Sequence, residues 1–175
     1  DNAQYLWSNG SNEPSIMVNP HNTSQMVAAS NISNYYLSAD AGQTWTEGHI
    51  SSSYGVWGDP CILADTAGVF YFLHLSNAPQ GNWIDRIVCQ KMEVFGGSWS
   101  DGSFMGLNGS KEQDKEWAVV NPFNNAIYAT WTQFDSYGSS NPADSSIIRF
   151  SKSTDGGQTW SAAVRINRVA GDCVD

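Results

Sequence analysis

Charge is scarce in this chain, and positive charge scarcest. Its 175 residues carry 8 Lys and Arg against 17 Asp and Glu, a formal net charge of −9. The clustered basic footprint that nucleic acid requires is absent, and an anionic membrane surface would repel the chain. No apolar run is long enough to span a bilayer as a helix, so neither nucleic acid nor membrane insertion is expected. Nowhere do apolar residues recur at i, i+3, i+4 and i+7, which argues against helices. The start, Asp1-Asn2-Ala3-Gln4, lacks the basic and apolar regions of an export signal, and with no initiator Met it reads as a processed or excised piece. The three cysteines, Cys61, Cys89 and Cys173, cannot all pair within the chain. They are either buried thiols or one disulfide with a leftover. No Cys or His spacing suits zinc. Neither a Ser-His-Asp pattern nor a phosphate-cradling Gly loop is present.

What is present is a repeat. Ser38-Ala39-Asp40-Ala41-Gly42-Gln43-Thr44-Trp45 returns as Ser153-Thr154-Asp155-Gly156-Gly157-Gln158-Thr159-Trp160, and Met92–Trp99 is a worn third copy that keeps Gly96, Ser98 and Trp99. A period of this size in a chain rich in aromatics, Gly, Ser and Asn points to a propeller or another repeat array. Aligned on the octapeptide, three units share one grammar of four short strands. Each joins its first two strands through a Pro-, Asn-, Asp- or Gly-rich hairpin: Asn19–Ser24, Asp65–Gly68 and Asn121–Asn125. The longer insertions Ser76–Asp85 and Asp135–Ser145 read as exposed loops at one end. In the octapeptide turn, Asp and Ser can bond nearby backbone N–H groups, Gly permits positive φ, and Trp can pack on a neighbouring hairpin.

Four antiparallel strands in about 55 residues describe a propeller blade. The expected fold class is therefore an all-β propeller represented by three blades, at about 12–52, 58–105 and 114–168, with a fourth beginning at 171–175. The chain resembles the Asp-box (bacterial neuraminidase repeat) propellers typified by sialidases, with two intact boxes and one degenerate. The resemblance implies that the box is a structural turn on the face away from any active site. Ser38, Asp40, Gly42, Thr44, Trp45, Ser153, Asp155, Gly157, Thr159 and Trp160 are then structural. It also implies a ring of six to eight blades, closed by further blades of the same chain or by a second copy, in a secreted or cell-surface protein. Sequons at Asn9, Asn22, Asn31 and Asn108 matter only in a eukaryotic secretory pathway.

In such a ring the residues that open each inner strand line the ligand-binding mouth. Those openings align as Asn12-Glu13-Pro14, Gly58-Asp59-Pro60, Lys115-Glu116-Trp117 and Gly171-Asp172-Cys173. Glu13, Asp59, Glu116 and Asp172 would form an acidic arc. It could provide acid and base groups for glycoside hydrolysis, Asp59 and Glu116 foremost, or bind Ca²⁺ or a cationic group through clustered oxygens. Alternatively each carboxylate caps backbone N–H groups between blades. No other cofactor is called for. Lys115 is an ion-pair partner or ligand contact, and His74 and Trp131 would share one rim; His21 and His49 are surface residues. Sialidases hold a carboxylate with three arginines, the first near the opening of the first blade, whereas this chain has no Arg before Arg86. That argues against sialidase activity. Two functions follow: a glycan- or protein-binding module, or a non-sialidase glycoside hydrolase or polysaccharide lyase.

Overall fold

A computed structural model describes residues 11–174; Asn9 and Asp175 lie outside them. The described residues contain twelve strands and no helix: β1 (Ser15–Val18), β2 (Met26–Ser30), β3 (Asn34–Ser38), β4 (Thr46–His49), β5 (Gly58–Ala64), β6 (Phe70–Leu75), β7 (Ile87–Met92), β8 (Ser103–Met105), β9 (Glu112–Val120), β10 (Ile127–Phe134), β11 (Ser146–Ser153) and β12 (Val164–Arg165). They form three four-stranded antiparallel meanders, β1–β4, β5–β8 and β9–β12. The first strands lie side by side, β5 touching both β1 and β9.

The middle sheet is buried on both faces because its strands alternate between two cores. Phe70 and Phe72 of β6 and Ile62 of β5 pack toward Val27 and Ala29 of the first sheet. Tyr71, Leu73 and Leu75 of β6, with Cys61 and Leu63 of β5, pack toward Ala118, Ile127, Ala129 and Trp131 of the third. The period of two in a strand sends successive side chains to opposite faces. Every residue of β6 is therefore buried, and each large apolar side chain contributes about 1.5–3 kcal/mol. Cys61 and Cys89 both lie opposite Leu73, one on each side of β6; all three cysteines are free and buried.

Polar pairing and aromatic packing set two of the strand limits. In the third sheet Glu112, Gln113 and Asp114 extend β9 and pair with Phe134, Gln133 and Thr132. The last strand of the second unit starts at Ser103, after Trp99 rather than at it, because Trp99 packs edge-on against Tyr35 and Phe72 of the first core.

The two intact octapeptides fold identically. Ser38 Oγ donates to Asp40 Oδ1 at 2.8 Å and accepts from Gly42 N at 2.8 Å; Thr44 donates N–H and Oγ1–H to the two Asp40 oxygens at 2.9 and 2.6 Å. Ser153, Asp155, Gly157 and Thr159 repeat this set. The fourth residue after Ser must have positive φ, and Gly42 (84°), Gly157 (74°) and Gly96 of the worn copy (81°) supply it. The Trp residues diverge: Trp45 Nε1 donates to Gly42 O, Trp160 Nε1 to Ser103 Oγ of the second sheet.

Replacing Ser153, which is 1% exposed, with Ala strands the Gly157 N–H and removes one of the donors to Asp155 Oδ1. The expected loss is about 1–3 kcal/mol, read as a lower urea midpoint. Thr44→Ala, at an exposed position, should cost less than about 1 kcal/mol by the same measurement.

Candidate functional site

Two strand openings share a local distortion. Opposite Leu75–Leu73 the β5 register slips between Gly58 and Cys61; opposite Thr132–Thr130 the β9 register slips between Asp114 and Trp117. Each is a bulge with one extra residue, which bends the strand and re-aims a side chain. The bulged residues Asp59 and Lys115 have φ of 54° and 51°, and Glu13, just before β1, has 51°. These three non-glycine residues in the left-handed region mark corresponding places in the three sheets. Left-handed non-glycine residues of this kind concentrate at functional sites.

All three face one cleft of about 770 Å³ at the end of the sheets opposite the octapeptide turns. Asn12, Asn31, Ile32, Trp57, Trp83, Ile84, Asp114, Thr132, Phe134 and Tyr137 complete its lining along with Leu75. One wall is a relay of edge-to-face aromatic contacts. Trp57 meets Trp83 at 5.9 Å, Trp83 meets Tyr137 at 5.5 Å, and Tyr137 meets Phe134 at 5.1 Å. Both Trp57 and Trp83 are 40% exposed, which leaves ring surface for a ligand. Two asparagines brace the floor: Asn31 Oδ1 accepts from Asp59 N at 2.7 Å, and Asn31 Nδ2 donates to Asn12 Oδ1 at 2.9 Å.

Asp59 is half-buried, and loss of water raises its pKa to about 7; a shared hydrogen bond and like charge from Glu13, then like charge from Asp114, act in the same direction. Lys115 opposes the rise. Asp59 is thus held toward its protonated form, with Glu13 as its hydrogen-bond partner.

The expected arc is not assembled as the sequence alignment had it. Lys115, not Glu116, corresponds to Glu13 and Asp59: Asp59 and Lys115 hold the same place in the same bulge, and Glu116 falls where Pro60 stands. Glu116 is 2% exposed, outside the cleft, with both carboxyl oxygens lacking hydrogen bonds. Burial raises its pKa well above the usual range. Asp172 is exposed in a separate groove with Ser139, Asn141 and Asp144. His74 and Trp131 do not form a rim. His74 is fully buried beside Phe72, bonded to Leu75 O and Gln90 Oε1, and desolvation lowers its pKa to about 4. Trp131 is 1% exposed in the core, its Nε1 donating to Gln113 Oε1 at 2.7 Å. Both sit on strands whose inner faces are closed by a neighbouring sheet. His21 and His49 are exposed.

The sequence reading missed the aromatic wall. Trp83 and Tyr137 come from the two long insertions, each of which holds a single aromatic residue, and that coincidence was the available signal. Among the described residues no three His, Cys, Asp or Glu side chains converge as metal ligands. Arg86, the first arginine, is held by Asp85 and stacks over Tyr54 and Phe104, outside the cleft lining.

No protein-family model matches the chain, and no curated protein matches its sequence. Among solved structures, the chain is similar to Hadza microbial sialidase Hz136, with a TM-score of 0.49 and 12% identity over 81% of this chain and 33% of that one. The chain spans about a third of that protein's length.

The pKa directions fix a pH dependence. Asp59 and Glu116, raised on folding, cost stability as pH climbs above the ordinary carboxylate value, for Asp59 up to about 7. Asp40 and Asp155, held at about 2 by their turn hydrogen bonds, stabilise above 3.8 and lose that contribution as pH falls toward 2. Thermal unfolding should give the highest Tm at about pH 4–5, with a decline toward pH 8 that is shallower in Asp59→Asn.

Proposed function

We propose that this chain is three blades of an Asp-box β-propeller, secreted or displayed at a cell surface, that binds glycans in the cleft at the strand openings. Support for the propeller comes from three four-stranded meanders with adjacent first strands, and from a turn motif repeated at the far end of the first and third sheets. Further blades of the same protein, or a second copy, would close the ring.

The observation that carries the binding reading is the aromatic wall standing over a polar floor. Sugar rings present apolar C–H faces that pack on indole and phenol rings, and hydroxyls that bond carboxylates and amides. Trp83 is central because it touches both Trp57 and Tyr137. Asn12, Asn31, Glu13, Asp59 and Lys115 are the polar contacts.

A second reading, cleavage of the bound glycan, is favoured by one feature. Asp59 keeps a proton near pH 7 with Glu13 as its hydrogen-bond partner, which suits a general acid. Glu116 does not serve in this reading, since it is shut off from the cleft.

Titration of neutral and charged oligosaccharides by calorimetry tests the binding reading. Trp83→Ala should weaken binding by about ten-fold, equivalent to about 1.4 kcal/mol, in protein that still unfolds cooperatively at a somewhat lower Tm. Undiminished affinity in this variant would remove the cleft from consideration. Release of new reducing ends, abolished in Asp59→Asn, would establish cleavage.

A further inference from the structure

The charges in the cleft narrow the kind of sugar it accepts. Three carboxyl groups, Glu13, Asp59 and Asp114, and one cation, Lys115, line it, and no arginine does. Beneath its floor Glu116, buried and without hydrogen-bond partners, interacts electrostatically with the same Asp59, Asp114 and Lys115. A carboxylated or sulfated sugar would meet like charge with only Lys115 to offset it. A protonated amine would gain twice, from the carboxylates and from the negative faces of the tryptophan rings.

We infer that the cleft recognises amino sugars in their free, protonated form, a class set by Glu13, Asp59 and Asp114 on the floor and the Trp57–Trp83–Tyr137 wall above. The inference rests on the glycan-binding reading. The ammonium group lies against the carboxylates while the ring face packs on indole. Asn31 holds Asp59 in place through its backbone N–H, and the Asn31–Asn12 bond ties the first and second strand openings together. Acetylation of the amine removes the charge and adds bulk, so discrimination against the N-acetylated sugar is the signature of this site. Lys115 limits affinity, because it already supplies positive charge beside Asp59.

Calorimetric titration of the 175-residue chain at pH 7 with four probes tests this. They are a glucosamine tetramer, its fully N-acetylated form, a uronic acid oligomer and tetralysine. The glucosamine tetramer should bind at least ten-fold more tightly than the acetylated form, and the uronic acid oligomer most weakly. Lys115→Gln should tighten glucosamine binding three-fold or more, a gain that misfolding cannot imitate. The double change Glu13→Gln with Asp59→Asn should erase the preference, bringing the free and acetylated tetramers to within about two-fold of each other.

Equal binding of the free and acetylated tetramers would overturn the amino-sugar class and keep the glycan reading. Tetralysine binding as tightly as the glucosamine tetramer would overturn it too, since the cleft would then recognise charge without a sugar ring. No binding of any saccharide by folded protein would remove both readings together.

Discussion

Burial of the second sheet on both faces is the constraint on which the rest depends. Strands β5 and β6 have no water-facing side, so alternate residues must satisfy two different neighbours. Phe70 and Phe72 fit the first sheet while Tyr71 and Leu73 fit the third. A shift of one residue in either strand would exchange these sets. The three first strands are thereby fixed side by side, and the strand openings are brought to one end. Cleft geometry is a by-product of packing done well away from it.

Within that frame, small backbone departures select which side chains reach the cleft. At β5 and β9 a single extra residue turns Asp59 and Lys115 outward and leaves Glu116 facing the interior. Adjacent positions in the chain thus meet opposite environments. Lys115 is exposed at the cleft; Glu116 is desolvated and held toward its neutral form. The same division appears at the other end of the sheets, where exposed Asp40 and Asp155 are kept ionised by hydrogen bonds from their own turns. Carboxylates of one chemical kind are tuned in opposite directions by burial and by donors.

Much of the architecture was legible because it repeats. The Ser-x-Asp-x-Gly-x-Thr-Trp spacing encodes its own hydrogen-bond set, and the strand grammar follows from alternation and turn residues. The limits of β9 and β8 were not legible, since they depend on polar pairing and on where Trp99 finds a partner. Of the candidate site, Glu13, Asp59 and Lys115 could be found from their place at the opening of each unit, ahead of its apolar run. Glu116 looks equivalent to Asp59 when carboxylate is matched to carboxylate, but the strand register puts Lys115 at that place. Trp131 and His74 look like rim residues when strands are considered singly, and only the packing of adjacent sheets shows them enclosed. Trp57, Trp83 and Tyr137 come together from three separate segments, a convergence that no local pattern announces.

The placing of Leu73 between Cys61 and Cys89 bears on where this fold can live. The two thiols face the same core from strands on either side of β6, so their backbones are separated by two strand spacings, about 9–10 Å. A disulfide needs roughly 7 Å or less. Burial also raises both thiols to about 12, far from the thiolate that exchange chemistry requires. The core therefore makes no demand on the redox state of its surroundings. Its packing around Leu73 is that of two free thiols, with no bond between them to form or to lose.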